Sequence, residues 1–194
     1  MSQAPDGARP RAGANGVVDR IFGPGASRTE QLRGVFAALG GALLAGLTVT
    51  APWPETLTLM LLTAHITGGI AVSINSSGKA WQHRSGRRLL RLGAASALHL
   101  VHLLLFVWLF RDGDPQRFAI AAIFLLGGTA AVLVAPVAMQ RGVGLLTVVI
   151  AMISIDQTSG LVREAAWFLP LLYTRVLVAR LPAPLPDPDR PADS

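Results

Sequence analysis

Three histidines fall inside apolar runs of this 194-residue chain: His65, then His99 and His102. An ionisable side chain within such a run is costly, so it stands out as a candidate for function. His99 and His102 are three residues apart and share one face of a helix. Imidazole is a common metal ligand, and a pair contributed by neighbouring helices suits the axial positions of a haem iron. His65, paired with His99 or His102, is therefore a candidate ligand of one b-type haem serving electron transfer. The three together are candidate ligands of a divalent metal. Two other readings fit the same residues. They could form a proton or cation relay in a small transporter or channel, or they could be hydrogen-bonding glue between helices in a non-catalytic subunit of a membrane complex.

The remaining polar candidates are fewer. Asp156 and Gln157 follow a short apolar run and are read either as a cation or proton entry point or as an interfacial loop in water. Asn75, at the end of an apolar run, is a polar-path candidate or a helix-end hydrogen-bonding residue. Arg84, Arg87, Arg88 and Arg91 suit anionic lipid headgroups. Cysteine is absent, which excludes disulfides and thiolate chemistry. No Gly-rich phosphate loop, HExxH or GxSxG motif is present, so an ordinary enzyme is the weaker expectation.

The placement of His65, Lys79, His83, Arg84, Gly86, His99 and His102, histidines within helices beside a basic loop, resembles that of small bacterial membrane haem proteins such as the b-type cytochrome and ferric-reductase-like families. The resemblance covers that stretch alone. It implies at most one haem, because the second histidine pair of two-haem members has no counterpart here.

The elements that must position these residues follow from composition. Hydrophobic residues make up 52% of the chain and charged ones 14%, with mean hydropathy +0.50. An average soluble domain is roughly a quarter charged. The apolar residues occur in blocks, and about 20 residues at about 1.5 Å rise each cross a bilayer. The fold expected is an all-α integral membrane protein, a bundle of six transmembrane helices with both termini in the cytoplasm. The spans read as Leu32–Ala51, Thr56–Asn75, Leu89–Phe110, Phe118–Met139, a short Val143–Ile155, and Leu161–Leu181 with a kink at Pro170. Residues 1–28 read as a disordered cytoplasmic tail, 29–181 as the membrane domain and 182–194 as a second disordered tail. The basic segment Ser76–Arg88 reads as the main cytoplasmic loop. At about 1.5 Å per residue the three histidines lie roughly 12 to 17 Å from the outer helix ends, nearly level.

Orientation follows from the distribution of basic residues. With the N-terminus cytoplasmic, 14 of the 17 Lys and Arg fall on the inner side, leaving only Arg111, Arg117 and Arg163 outside. A net charge of +6 distributed in this way orients helices and gives no reason to expect nucleic acid. The expected partners are the lipid bilayer and either membrane proteins or a second copy of the chain. The preference for arginine, alanine, glycine and proline suggests a GC-rich bacterium, hence a bacterial cytoplasmic membrane. Small residues at Gly34, Ala38, Gly41 and Ala45 make one face of the first helix a packing surface.

Overall fold

A computed structural model of the chain describes residues 9–83, 88–159 and 165–181, except for the side chains of 83–92 and 156–159. Of the described residues 81% are helical and none lies in a strand. The helices are α1 (Gly13–Phe22), α2 (Arg28–Thr48), α3 (Trp53–Ile74), α4 (Ser76–His83), α5 (Arg88–Phe110), α6 (Pro115–Val134), α7 (Gln140–Ser159) and α8 (Phe168–Leu177).

Local chemistry sets most of these boundaries. Ser27 and Glu30 cap α2 reciprocally: Ser27 Oγ accepts from the Glu30 N–H at 3.2 Å, and a Glu30 carboxylate oxygen accepts from the Ser27 N–H at 2.9 Å. Pro54 lies in the first turn of α3, where a missing N–H costs nothing. The Pro52-Trp53-Pro54 segment thus starts a helix as well as ending the one before it. Asp112 and Gly113 turn the chain with φ of 55° and 66°, left-handed values that Asp and Gly tolerate. Asp114 Oδ1 then caps α6 by accepting from the Gln116 N–H at 2.8 Å. Pro136 ends α6 at Val134, five residues short of the Met139 expected from hydropathy.

Four helical segments are long and apolar enough to cross a membrane: Arg28–Thr48, Trp53–Ile74, Gly93–Phe110 and Pro115–Val134. Their outer faces are apolar. Phe36 and Leu47 of α2, Leu61 of α3, Trp108 of α5 and Ile123 of α6 are all exposed on the bundle surface. Water would disfavour a surface of this kind, whereas lipid accommodates it.

Inside the bundle, α2 and α3 pack along each other through small residues. A methyl group added at Gly68 would sit 3.0 Å from Ala38 Cβ, and one at Gly34 would sit 3.3 Å from Val72 Cγ2. On the other side α5, α6 and α7 pack in sequence, and α8 joins the two groups by contacting α3, α5, α6 and α7. Ten residues long, α8 is buried at Phe168, Leu169, Leu172, Tyr173, Arg175, Val176 and Leu177. The Phe168 ring stacks on Phe106 of α5 at 4.6 Å. Tyr173 donates its hydroxyl to the Ala121 carbonyl of α6.

Several expectations are revised. The segment read as a disordered tail contains α1, fixed by a bidentate pair between Arg11 and Asp19 at 2.8 and 2.9 Å. The Ser76–Arg88 connection contains α4, whose start is held by Glu30 through Ser76 Oγ at 3.1 Å and Ser77 Oγ at 2.8 Å. Pro170 causes no kink, because α8 begins at Phe168 and the proline falls in its first turn. The helical backbone of α7 continues beyond Ile155 to Ser159. The adjacency expected of the helices bearing His65 and His99 is also narrower than consecutive spans suggest: α3 lies mainly against α2 and meets α5 at few points.

Candidate functional site

One of those few points is the histidine cluster. His65 of α3 and His102 of α5 have ring centroids 4.9 Å apart with planes inclined by 27°. His99 and His102 are 4.9 Å apart at 17°. His65 and His99 are 5.8 Å apart at 39°. Helical spacing places His99 and His102 on one face, and the level depths of α3 and α5 bring His65 to them. Burial grades across the cluster: His65 is exposed at the bundle surface, His102 half-buried and His99 0% exposed. The cluster therefore runs from the bundle surface at His65 inward to His99.

His99 is the most constrained of the three. Its Nδ1 lies 2.6 Å from the Ala95 carbonyl one turn back in α5. A carbonyl can only accept, so Nδ1 carries the proton and Nε2 carries the lone pair. That Nε2 is buried and has no hydrogen-bond partner. A metal-ligating histidine is oriented in the same way, with one ring nitrogen donating to a carbonyl and the other left as a Lewis base. Among the described residues none of the three histidines hydrogen-bonds to another helix, and their contact across α3 and α5 is ring against ring. Among the same residues, no three His, Cys, Asp or Glu donors converge on a common metal position.

The small residues around the histidines are occupied by packing. Gly68 meets Ala38 of α2. Gly69, one turn from His65, lies under the guanidinium of Arg175, where an added methyl group would sit 2.5 Å from Nε. Ser96 shares a hydrogen bond of 2.9 Å with Thr129 of α6, and the Thr129 hydroxyl also donates to the Leu125 carbonyl at 2.7 Å.

Arg175 is the residue that hydropathy and charge counting miss. Read as an inner-side cation near a helix end, it is 4% exposed and inside the bundle, donating to Ser73 Oγ of α3. Ser73 is held in turn by Gln82 of α4, whose Nε2 donates to it at 3.1 Å. Arg180 follows five residues on, and the Nε of each arginine is buried without a partner. The sequence signal for Arg175 is an arginine flanked by Leu, Tyr and Val in the last apolar segment.

The other candidates lie apart from this cluster. Asn75 caps the end of α3 and donates from Nδ2 to the Glu30 carbonyl at 3.2 Å, tying α3 to the start of α2. Asp156 and Gln157 fall in the last turn of α7, and their side chains lie outside the described residues, as do those of Arg88 and Arg91 at the start of α5. Arg84 and Arg87 lie outside the described residues altogether. In comparison with other proteins, the chain matches no family model, no curated protein and no solved structure.

Proposed function

We propose that the protein is a bacterial inner-membrane electron carrier in which His65 and His99 would hold one b-type haem between α3 and α5. The observation that carries this reading is the state of His99: Nδ1 is tied to Ala95 O at 2.6 Å, and Nε2 is buried and free. The two cross-helix pairs differ in width. Two nitrogens on one metal, each at about 2 Å, stand about 4 Å apart with their rings farther still. The 5.8 Å His65–His99 pair is the wider of the two and includes the buried Nε2 of His99, while the 4.9 Å His65–His102 pair leaves less room. A haem held there supplies one-electron exchange without a further chemical step. The chain's own residues would hold and orient it: Ala95 sets the His99 tautomer, and the His102 ring, 4.9 Å from both of the others, would turn aside to admit the macrocycle.

The cation-relay reading is weaker. Arg175 is buried inside the bundle against Gly69, one turn from His65 along α3, and its charge opposes a cation there.

The reading extends to topology. Helices α2, α3, α5 and α6 cross the bilayer, α7 makes a fifth crossing at about 30 Å for its 20 residues, and α8 with its flanking turns makes a sixth. A helix as short as α8 is tolerated at that depth because protein surrounds its ends. Six crossings place both termini on one side, and the excess of arginine at the α1–α4 end assigns that side to the cytoplasm. The reading is tested by the reduced-minus-oxidised absorption spectrum of protein made in haem-replete cells. Sharp α and β bands are expected, and His99→Ala should remove them.

A further inference from the structure

Two arginines inside a membrane bundle need compensating charge, and Arg175 and Arg180 have little. Among the described residues the ion pairs are Arg11–Asp19 and Arg117–Asp114, neither of which involves them. Glu30 is engaged by Ser27, Ser76 and Ser77. What faces Arg175 is the carboxyl end of α3 at Ser73 and Gly69, and α8 itself ends two residues later at Leu177. A helix C-terminus carries about half a negative charge, so the two ends offset roughly one of the two positive charges. Among the described residues about one positive charge is left over, beside two buried Nε donors with no acceptor.

The guanidinium of Arg175 is also held in place. Nη1 is fixed by Ser73, Ser73 is fixed by Gln82, and the planar group lies against the bare backbone of Gly69, with Cζ 2.8 Å from where a Cβ would stand. This is a pre-oriented fork rather than a freely moving surface arginine, and a planar fork matches a carboxylate. It lies one helix turn, about 6 Å, inward of His65 along α3.

We propose that Arg175, positioned by Ser73 and Gly69, forms an intramembrane site for a carboxylate-bearing ligand. The carboxylate has two possible sources: the acidic edge of a haem seated on the histidines, a case that rests on the function proposed above, or a small free monocarboxylate, a case that does not.

The test uses the full chain in detergent. Haem and haem dimethyl ester, whose carboxylates are blocked, are titrated into haem-depleted protein. In parallel, the melting temperature is followed with added propionate and with uncharged propionamide. Arg175→Gln, Arg175→Lys and Gly69→Ala are compared with the unaltered chain, the last displacing the guanidinium without removing it. If the ligand is haem, the ester should bind about tenfold or more weakly than haem, and Arg175→Gln should abolish the difference while Arg175→Lys keeps part of it. If the protein takes up no haem, the histidine reading fails but the arginine site stands, provided propionate raises the melting temperature, propionamide does not, and the effect is absent in Arg175→Gln and Gly69→Ala. Should Arg175→Gln fail to fold, Gly69→Ala and the ester comparison on the unaltered chain decide. The proposal is overturned if haem and its ester bind alike and propionate gives no Arg175-dependent shift.

Discussion

His99 donates from Nδ1 to the carbonyl of Ala95, one turn back along its own helix, at 2.6 Å. This bond leaves Nε2 as a buried lone pair with nothing to accept from. A buried acceptor left unsatisfied costs about 1–3 kcal/mol, so the arrangement is expensive unless something occupies the site. His99→Phe, which fills similar space without the lone pair, should leave the helical fold intact and melt at the same temperature or higher in haem-depleted protein. The check is circular-dichroism melting in detergent.

The α2–α3 contact depends on residues that cannot grow. Gly68 faces Ala38 at 3.0 Å from a notional methyl, and both neighbours are parts of packed helices that have little room to shift. Gly68→Val should therefore push the two helices apart at this contact, with a destabilisation of about 1–3 kcal/mol from overpacking. An equivalent change at Gly40, which has open space around it, should be tolerated. Comparing the melting temperatures of the two variants isolates close packing from helix propensity.

Tyr173 ties the central helix α8 to α6 through its hydroxyl and the Ala121 carbonyl. Tyr173→Phe keeps the buried ring and loses only that bond, so about 0.5–1.5 kcal/mol of stability should go. Leu172→Ala leaves a cavity at a fully buried position of the same helix, and about 2–5 kcal/mol should be lost. Denaturant or thermal unfolding of both variants should preserve this order.

The α1–α4 cap should open in acid. Hydrogen bonds from the Arg11 side chain and backbone hold the Asp19 carboxyl down to about 2 from its ordinary 3.8. Because the folded value is the lower one, the stabilisation is fully present above about 3.8 and is lost as pH falls through about 2. Trp81 reports on this event, since its indole N–H donates to the Arg20 carbonyl at 3.2 Å. Its fluorescence should change over that window, and Asp19→Asn should show the changed signal already at neutral pH.

How much of this was legible beforehand varies from residue to residue. The small-residue face of α2 was readable from Gly34, Ala38 and Gly41 because close helix packing in lipid leaves a compositional trace. The meeting of His65 with His99 and His102 followed from helix rise and spacing alone. The role of α8 was hidden because hydropathy measures suitability for lipid, whereas α8 is surrounded by protein and can carry Tyr173 and Arg175. Arg175 itself was taken for an orienting surface charge, since sequence does not record which way a cation at a helix end turns. The helices α1 and α4 were missed because contacts from outside each helix hold them, Arg11 with Asp19 in one case and Glu30 with Ser76 and Ser77 in the other. The covering of Gly69 by the guanidinium of Arg175 leaves no trace in the sequence, because the two residues are over a hundred positions apart.

The most direct measurement of the histidine site is the haem content and spectrum of the purified chain, set beside those of His65→Ala, His99→Ala and His102→Ala. The account predicts one low-spin, six-coordinate haem per chain, lost in His65→Ala and His99→Ala and retained with altered bands in His102→Ala. Protein from haem-replete cells that carries no haem, or bands that survive the loss of both His65 and His99, would contradict it.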